Sequence, residues 1–191
     1  MQNSTDHQLI QQTLQGELSA FDELVIKYQR PVYTLCLGFL SEPEDARDLA
    51  QEVFLKAFEG LRRFRGQSSF RTWIYRIAVN ACLNFKRNKR TEHVELCEAH
   101  TQMIYHSTAS LERSDNLSHA LSLMAKLPPK QRTVIILRVE QGLSYDEISE
   151  ITGQSVAAVK TTMCYALQKI KRMMQRPAKA PLRNLRHSES G

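Results

Sequence analysis

GLSYDEISEITGQSVAAVKTTMCYALQKIKR, residues 142–172, decides the fold class of this 191-residue chain. Ser144 followed by Glu147 has the form of a capping box, in which the Ser side chain and the Glu side chain each satisfy a free backbone N–H at a helix start. Ile148 and Ile151 then turn inward on a short helix. Gly153 falls where a tight helix–helix turn needs positive φ. A longer helix follows, with Val156, Val159, Met163, Leu167 and Ile170 as its expected buried stripe. A small residue at Ser149, Gly at 153 and an aliphatic at Val159 fit helix-turn-helix packing, whose second helix enters a major groove. The outward row of that helix is Lys160, Thr161, Cys164, Tyr165, Gln168 and Lys169.

Working outward, apolar residues recur at three- and four-residue spacings almost everywhere, so the chain reads as all-α. Helices are expected at about 5–15, 18–40, 43–63 and 69–88, then at 111–126, 129–141, 144–151 and 155–174. On the second, Phe21, Leu24, Val25, Tyr28, Val32, Leu35 and Phe39 share a stripe, and Pro31 bends it. Periodicity fails over 89–110, which reads as a flexible linker. The last stretch, 175–191, has two prolines and no period and reads as disordered. Two small helical domains, 1–88 and 111–174, are therefore expected.

Charge is distributed in blocks. Residues 1–60 hold 4 basic and 10 acidic side chains, net −6; residues 61–90 hold 9 basic and none acidic, net +9. Residues 91–150 hold 5 and 9, net −4; residues 151–191 hold 8 and 1, net +7. Two separate basic segments indicate two contacts with a polyanion. The first is SSFRTWIYRIAVNACLNFKR, 68–87. There Phe70, Trp73, Ile74, Ile77, Ala81 and Phe85 follow a 3.6 period and belong to a core. Arg76, Asn80, Asn84 and Arg87 form a row on the opposite face. An amide offers both donor and acceptor to a base edge, and Arg grips phosphate, which is how a single strand is held.

No apolar run approaches the ~20 residues of a membrane span, and the N-terminus lacks an apolar signal core, so a cytoplasmic protein without membrane insertion is expected. The four cysteines never stand as a close pair, so no metal site is expected. There is no Gly-rich phosphate loop and no nucleophile–base spacing. The reading is a non-enzyme without cofactor or small-molecule substrate.

DARDLAQEVFLKAF at 45–58, the 68–87 segment and LPPKQRTVIILRVEQGLSYDEIS at 127–149 together resemble the extracytoplasmic-function sigma factors of bacterial RNA polymerase. The resemblance covers about 8–88 (the family's region two) and 112–174 (region four), with no region three between them. It implies that the chain binds core RNA polymerase and promoter DNA, helps melt the DNA, and has an anti-sigma partner. It implies a minus-ten site, with a flipped base, at Phe64, Ser68, Ser69, Phe70, Arg76, Asn80 and Asn84. The acidic face Asp45, Asp48, Gln51 and Glu52 would dock on core polymerase, where a solvated charged face is the ordinary reading. The recognition helix departs from the family: Thr162, Tyr165 and Leu167 stand where arginines are usual, which weakens the expected phosphate grip at the minus-thirty-five element. The alternative is a helix-turn-helix regulator acting alone, which leaves the 68–87 row and the acidic face without a task.

Overall fold

The computed structural model describes residues 2–40, 42–96 and 122–175. All regular structure among them is helical. Helix α1 spans Gln2–Leu14, α2 Leu18–Leu40, α3 Pro43–Gly60 and α4 Phe70–Leu96, with a 3-10 turn at Leu61–Arg63. After helical residues 122–125 come α5, Pro129–Ile135, a π-helical segment at Ile136–Glu140, α6, Tyr145–Thr152, and α7, Val156–Gln175. The expected linker starts too late in one respect: α4 runs on to Leu96. Most of the expected linker, from 97 to 110, the start of the fifth expected helix and the tail from 176 lie outside the described residues.

Helix α2 is the centre of the first bundle. Its buried face carries Phe21, Leu24, Tyr28, Val32, Leu35 and Phe39, close to the expected stripe, with Val25 half-buried. Helix α1 docks on it through Asp6, whose carboxylate accepts from Tyr28 Oη at 2.6 Å and from Lys27 Nζ at 2.5 Å. Burial, with that bond to Asp6 next, holds the Tyr28 hydroxyl far above its ordinary pKa. Helix α3 begins with Pro43 in its first turn and Glu44 and Asp45 near the positive end of its dipole. Ser69 caps α4: its Oγ accepts from Thr72 N at 3.1 Å.

The second cluster forms as the sequence predicts. Ser144 and Glu147 complete the capping box, and Gly153 closes α6 at φ 68° in the left-handed region. The buried stripe of α7 needs one correction. Leu167 is 49% exposed, and Ala166 is buried in its place beside Val159 and Met163. Val159, Met163, Ala166 and Ile170 are spaced four, three and four apart, which tracks a 3.6 period better than the expected set.

The two clusters pack on each other and share one continuous core that runs from Leu9 to Ala166. Gly38 of α2 permits the close approach. A Cβ there would stand 3.0 Å from Ile136 Cδ1 and 3.2 Å from Glu140 Oε2. Beside it Arg132, only 5% exposed, donates to Met124 O at 2.7 Å, Leu127 O at 3.2 Å, Ala125 O, and across the interface to Phe39 O at 3.3 Å. Burial lowers its pKa. Replacing Arg132 by Met leaves buried carbonyls without donors, so unfolding free energy should fall by about 2–4 kcal/mol, measurable by urea denaturation followed by circular dichroism.

Candidate nucleic-acid and polymerase interfaces

Helix α4 presents two different working faces. Where α3 ends and α4 passes, an open pocket of about 380 Å³ is lined by Lys56, Gly60, Arg63, Trp73, Ile77, Asn80, Ala81 and Asn84. Asn80 and Asn84 are exposed and one turn apart, so both amides reach the same opening. The Trp73 ring forms one wall and lies against Gly60, where a Cβ would be 3.3 Å from it. Lys56 and Arg63 supply positive charge at the rim. The arrangement offers a π-face, two amides and two cations, the chemistry a splayed nucleotide requires.

The remaining expected minus-ten residues are placed unevenly. Phe64 is half-buried, with its ring 5.1 Å from Trp73 and 6.1 Å from Phe70. Phe70 is 2% exposed and packs edge-on to Tyr28 at 5.4 Å. It cannot meet a base here and instead props up Phe64 and Trp73. Ser69 is committed to capping, and Ser68 lies half-buried beside it. Arg87 is exposed further along α4.

Arg76 belongs to a different surface from the asparagines. Its guanidinium donates to Glu150 O of α6 at 2.7 Å. The neighbouring turn of α4 is likewise engaged. Tyr75 Oη donates to Gln141 Oε1 at 2.8 Å, and Arg71 donates to the Gln141 carbonyl while lying over the Tyr75 ring at 5.6 Å. Gln141 Nε2 reaches Pro31 O of α2 at 3.4 Å. Gln141 thus links three elements, and the row expected from Arg76 to Asn84 is divided between an open pocket and a closed contact. Two ionisable groups border this contact. Desolvation raises the Glu140 carboxyl to about 7, and desolvation followed by the Arg132 charge lowers Lys86 of α4 to about 8.

On α3, Asp48, Gln51 and Glu52 are exposed and Asp45 half-buried, as one face requires. Glu52 is ion-paired to Lys56 one turn on. The same face holds Leu55, 65% exposed, which sequence reasoning did not pick out. Its signal was available: Leu55 breaks the apolar period of α3 and stands seven residues from Asp48. On α7, Lys160, Thr161, Cys164, Tyr165 and Gln168 are exposed, while Thr162 and Lys169 are half-buried. Thr161 Oγ1 is turned back onto Ala157 O at 3.0 Å.

An exposed recognition helix and a basic, amide-lined pocket on one chain have counterparts among known proteins. Residues 24–92 match the profile of sigma-70 region 2, and residues 120–170 that of sigma-70 region 4. The sigma-H factor of RNA polymerase from Pseudomonas aeruginosa is 32% identical over 181 residues, covering 89% of this chain and 94% of that protein. The chain belongs to the extracytoplasmic-function sigma factors of RNA polymerase. The Escherichia coli K12 sigma-E factor of that group is 32% identical over 182 residues, covering 90% and 95% of the two chains. Sigma factor YlaC of Bacillus subtilis is 35% identical over 159 residues, covering 81% and 92%. Among solved structures, CnrH in complex with the cytosolic domain of CnrY matches with a TM-score of 0.70 at 25% identity, over 89% of this chain and 97% of that one. The sigma factor RpoE of Bartonella quintana, in complex with the anti-sigma factor NepR, shares the fold with a TM-score of 0.63 at 20% identity, over 83% and 98%. The function of the present sigma factor is therefore in transcription initiation. No helix among its described residues is long and apolar enough to cross a membrane.

Gln141→Ala removes both side-chain bonds of the linking residue while leaving each cluster's core intact. At about 1 kcal/mol per bond, the separated arrangement should gain roughly tenfold in population. Small-angle scattering should then report a larger radius of gyration than for the unaltered chain.

Proposed function

We propose that the two clusters divide promoter recognition between them, with no catalytic step carried out by the chain itself. The exposed face of α3 docks on core RNA polymerase. Helix α4 holds the melted non-template strand of the minus-ten element. Helix α7 lies in the major groove of the minus-thirty-five element. The observation that carries this reading is the pocket shared by Asn80, Asn84 and Trp73 with Lys56 and Arg63 at its rim. A flipped base stacks against the indole, the amides meet its edge, and the cations take the adjoining phosphates. The sigma factor works where polymerase and DNA are, in the cytoplasm.

Geometry requires the clusters to part. Elements centred about 25 base pairs apart lie roughly 85 Å apart at 3.4 Å per base pair. In the closed arrangement α4 and α6 are in hydrogen-bond contact through Arg76 and Glu150. Residues 97–121 lie between the described clusters, and about 25 residues reach on the order of 85 Å when extended. Opening also frees Arg76 and Arg71 for phosphate. An anti-sigma protein completes the reading as the partner that keeps the clusters together. RpoE was solved with its anti-sigma factor NepR, and CnrH with the cytosolic domain of CnrY.

Asn80→Ala should reduce open-complex formation by about tenfold and leave core binding unchanged. One base-edge contact is lost, worth about 1–3 kcal/mol for a well-formed pair, while Ala favours the helix. Permanganate footprinting of holoenzyme on a promoter fragment is the measurement; equal strand opening by mutant and unaltered chain would sink the pocket assignment.

The reversal Asp48→Lys with Glu52→Lys should weaken core binding at least tenfold without loss of helicity, because both side chains are exposed. Leu55→Asp should do the same from the apolar side. Capture of core polymerase by immobilised sigma factor tests both, and full capture by all variants counts against docking on α3.

A further inference from the structure

The recognition helix lacks three arginines usual at its positions, yet the structure supplies positive charge from elsewhere. Tyr145, the first residue of α6, carries two cations on one ring. The Arg138 guanidinium lies 4.7 Å from its centroid and the Lys160 ammonium 5.8 Å. These residues come from three elements: the π-helical segment, α6 and α7. Among the described residues neither cation is paired with a carboxylate. The nearest acid in sequence on the inner side, Glu147, is turned back onto Ser144 N at 2.7 Å and Ser144 Oγ at 2.8 Å. Arg138 is fixed by donation to Leu143 O at 2.7 Å, which leaves other guanidinium N–H groups available.

Two like charges brought to one ring repel each other, and the ring quadrupole offsets only part of that, about 0.5–2 of the several units at stake in kT terms. An anion seated between them removes the repulsion. We propose that Arg138, Tyr145 and Lys160 form a seat for a backbone phosphate of duplex DNA beside the minus-thirty-five element, with Tyr145 as the positioning residue. The proposal rests on the reading of α7 as the minus-thirty-five helix and adds to it residues outside the recognition helix. Duplex DNA is favoured over an acidic protein segment because Lys160 shares the exposed row with Thr161, Cys164 and Gln168, the row that faces a groove. A phosphate contact gives grip without base preference, so it offsets the missing arginines without restoring their specificity.

The test uses holoenzyme reconstituted from the full chain and core polymerase, bound to labelled promoter duplex across a salt series. Arg138→Gln should lower the slope of log affinity against log salt by about 0.9, equally on native and altered minus-thirty-five sequences. Arg138→Lys, which keeps the charge, should retain most of the slope and guards against a folding defect at Leu143. Tyr145→Phe should behave as the unaltered chain, because the ring face is kept. Tyr145→Leu should lose affinity several-fold with a shallower slope. An unchanged slope in Arg138→Gln overturns the seat, as does equal loss by the Phe and Leu variants. Weakened capture of core polymerase with an unchanged DNA slope would assign the cations to an acidic protein surface and also overturns it. The underlying reading is judged separately: it fails if the unaltered holoenzyme binds native and scrambled minus-thirty-five duplexes alike.

Discussion

A buried guanidinium holds the two halves of this molecule in one piece. Arg132 has no carboxylate partner among its bonds; its charge is met by backbone carbonyls. Those carbonyls lie at the ends of helices. Phe39 O is in the last turn of α2, and Met124 O and Ala125 O end the helical residues before α5. The last carbonyls of a helix have no partners within it and carry the negative end of its dipole. One cation therefore satisfies orphan acceptors from both clusters. Its positive charge also bears on Lys86, whose pKa falls to about 8.

The consequence for function is a balance between two demands. The closed arrangement buries Ile136 against Gly38 and engages Arg71, Tyr75 and Arg76 with Gln141 and Glu150. A promoter demands that the same arginines be free and the clusters far apart. The interface is suited to such a compromise. Polar side chains, mostly bonding to backbone atoms, hold its rim, and each such bond contributes only about 1 kcal/mol net. Glu140 biases the balance with pH. Its carboxyl is raised to about 7 in the closed arrangement, so that arrangement holds its proton more tightly than a solvated carboxyl would. The bias toward closure is present below the ordinary carboxylate pKa and is lost as pH rises through about 7.

Substitutions at the recognition helix illustrate how a lost contact is offset by neighbours. Thr162 is half-buried and Leu167 exposed, so neither replaces an arginine at a phosphate. Tyr165, 57% exposed, keeps a polar tip in the groove-facing row. Arg138 and Lys160 gather on Tyr145 one layer away. Charge at a protein–DNA interface is additive over phosphates, so its place in the sequence matters less than its place on the surface.

Local rules determined much of this protein directly. The capping box at Ser144, the left-handed turn at Gly153, the stripe of α2 and the exposure of Asp48, Gln51, Glu52, Asn80 and Asn84 all follow from periodicity and backbone chemistry, which act within a turn or two. The family itself was legible in three motifs. What periodicity left open was decided by packing. Phe70 is core because Tyr28, Phe64 and Trp73 surround it, although its spacing also allowed a surface role. Ala166 displaced Leu167 from the stripe because the crossing against α5 leaves room for a methyl group and not for an isobutyl one. Arg76 parted from Asn80 because α6 lies against one flank of α4 and nothing fills the pocket on the other. Arg132, Gln141 and the cations on Tyr145 act between residues distant in the chain or on separate elements, and only tertiary structure brings such partners within reach.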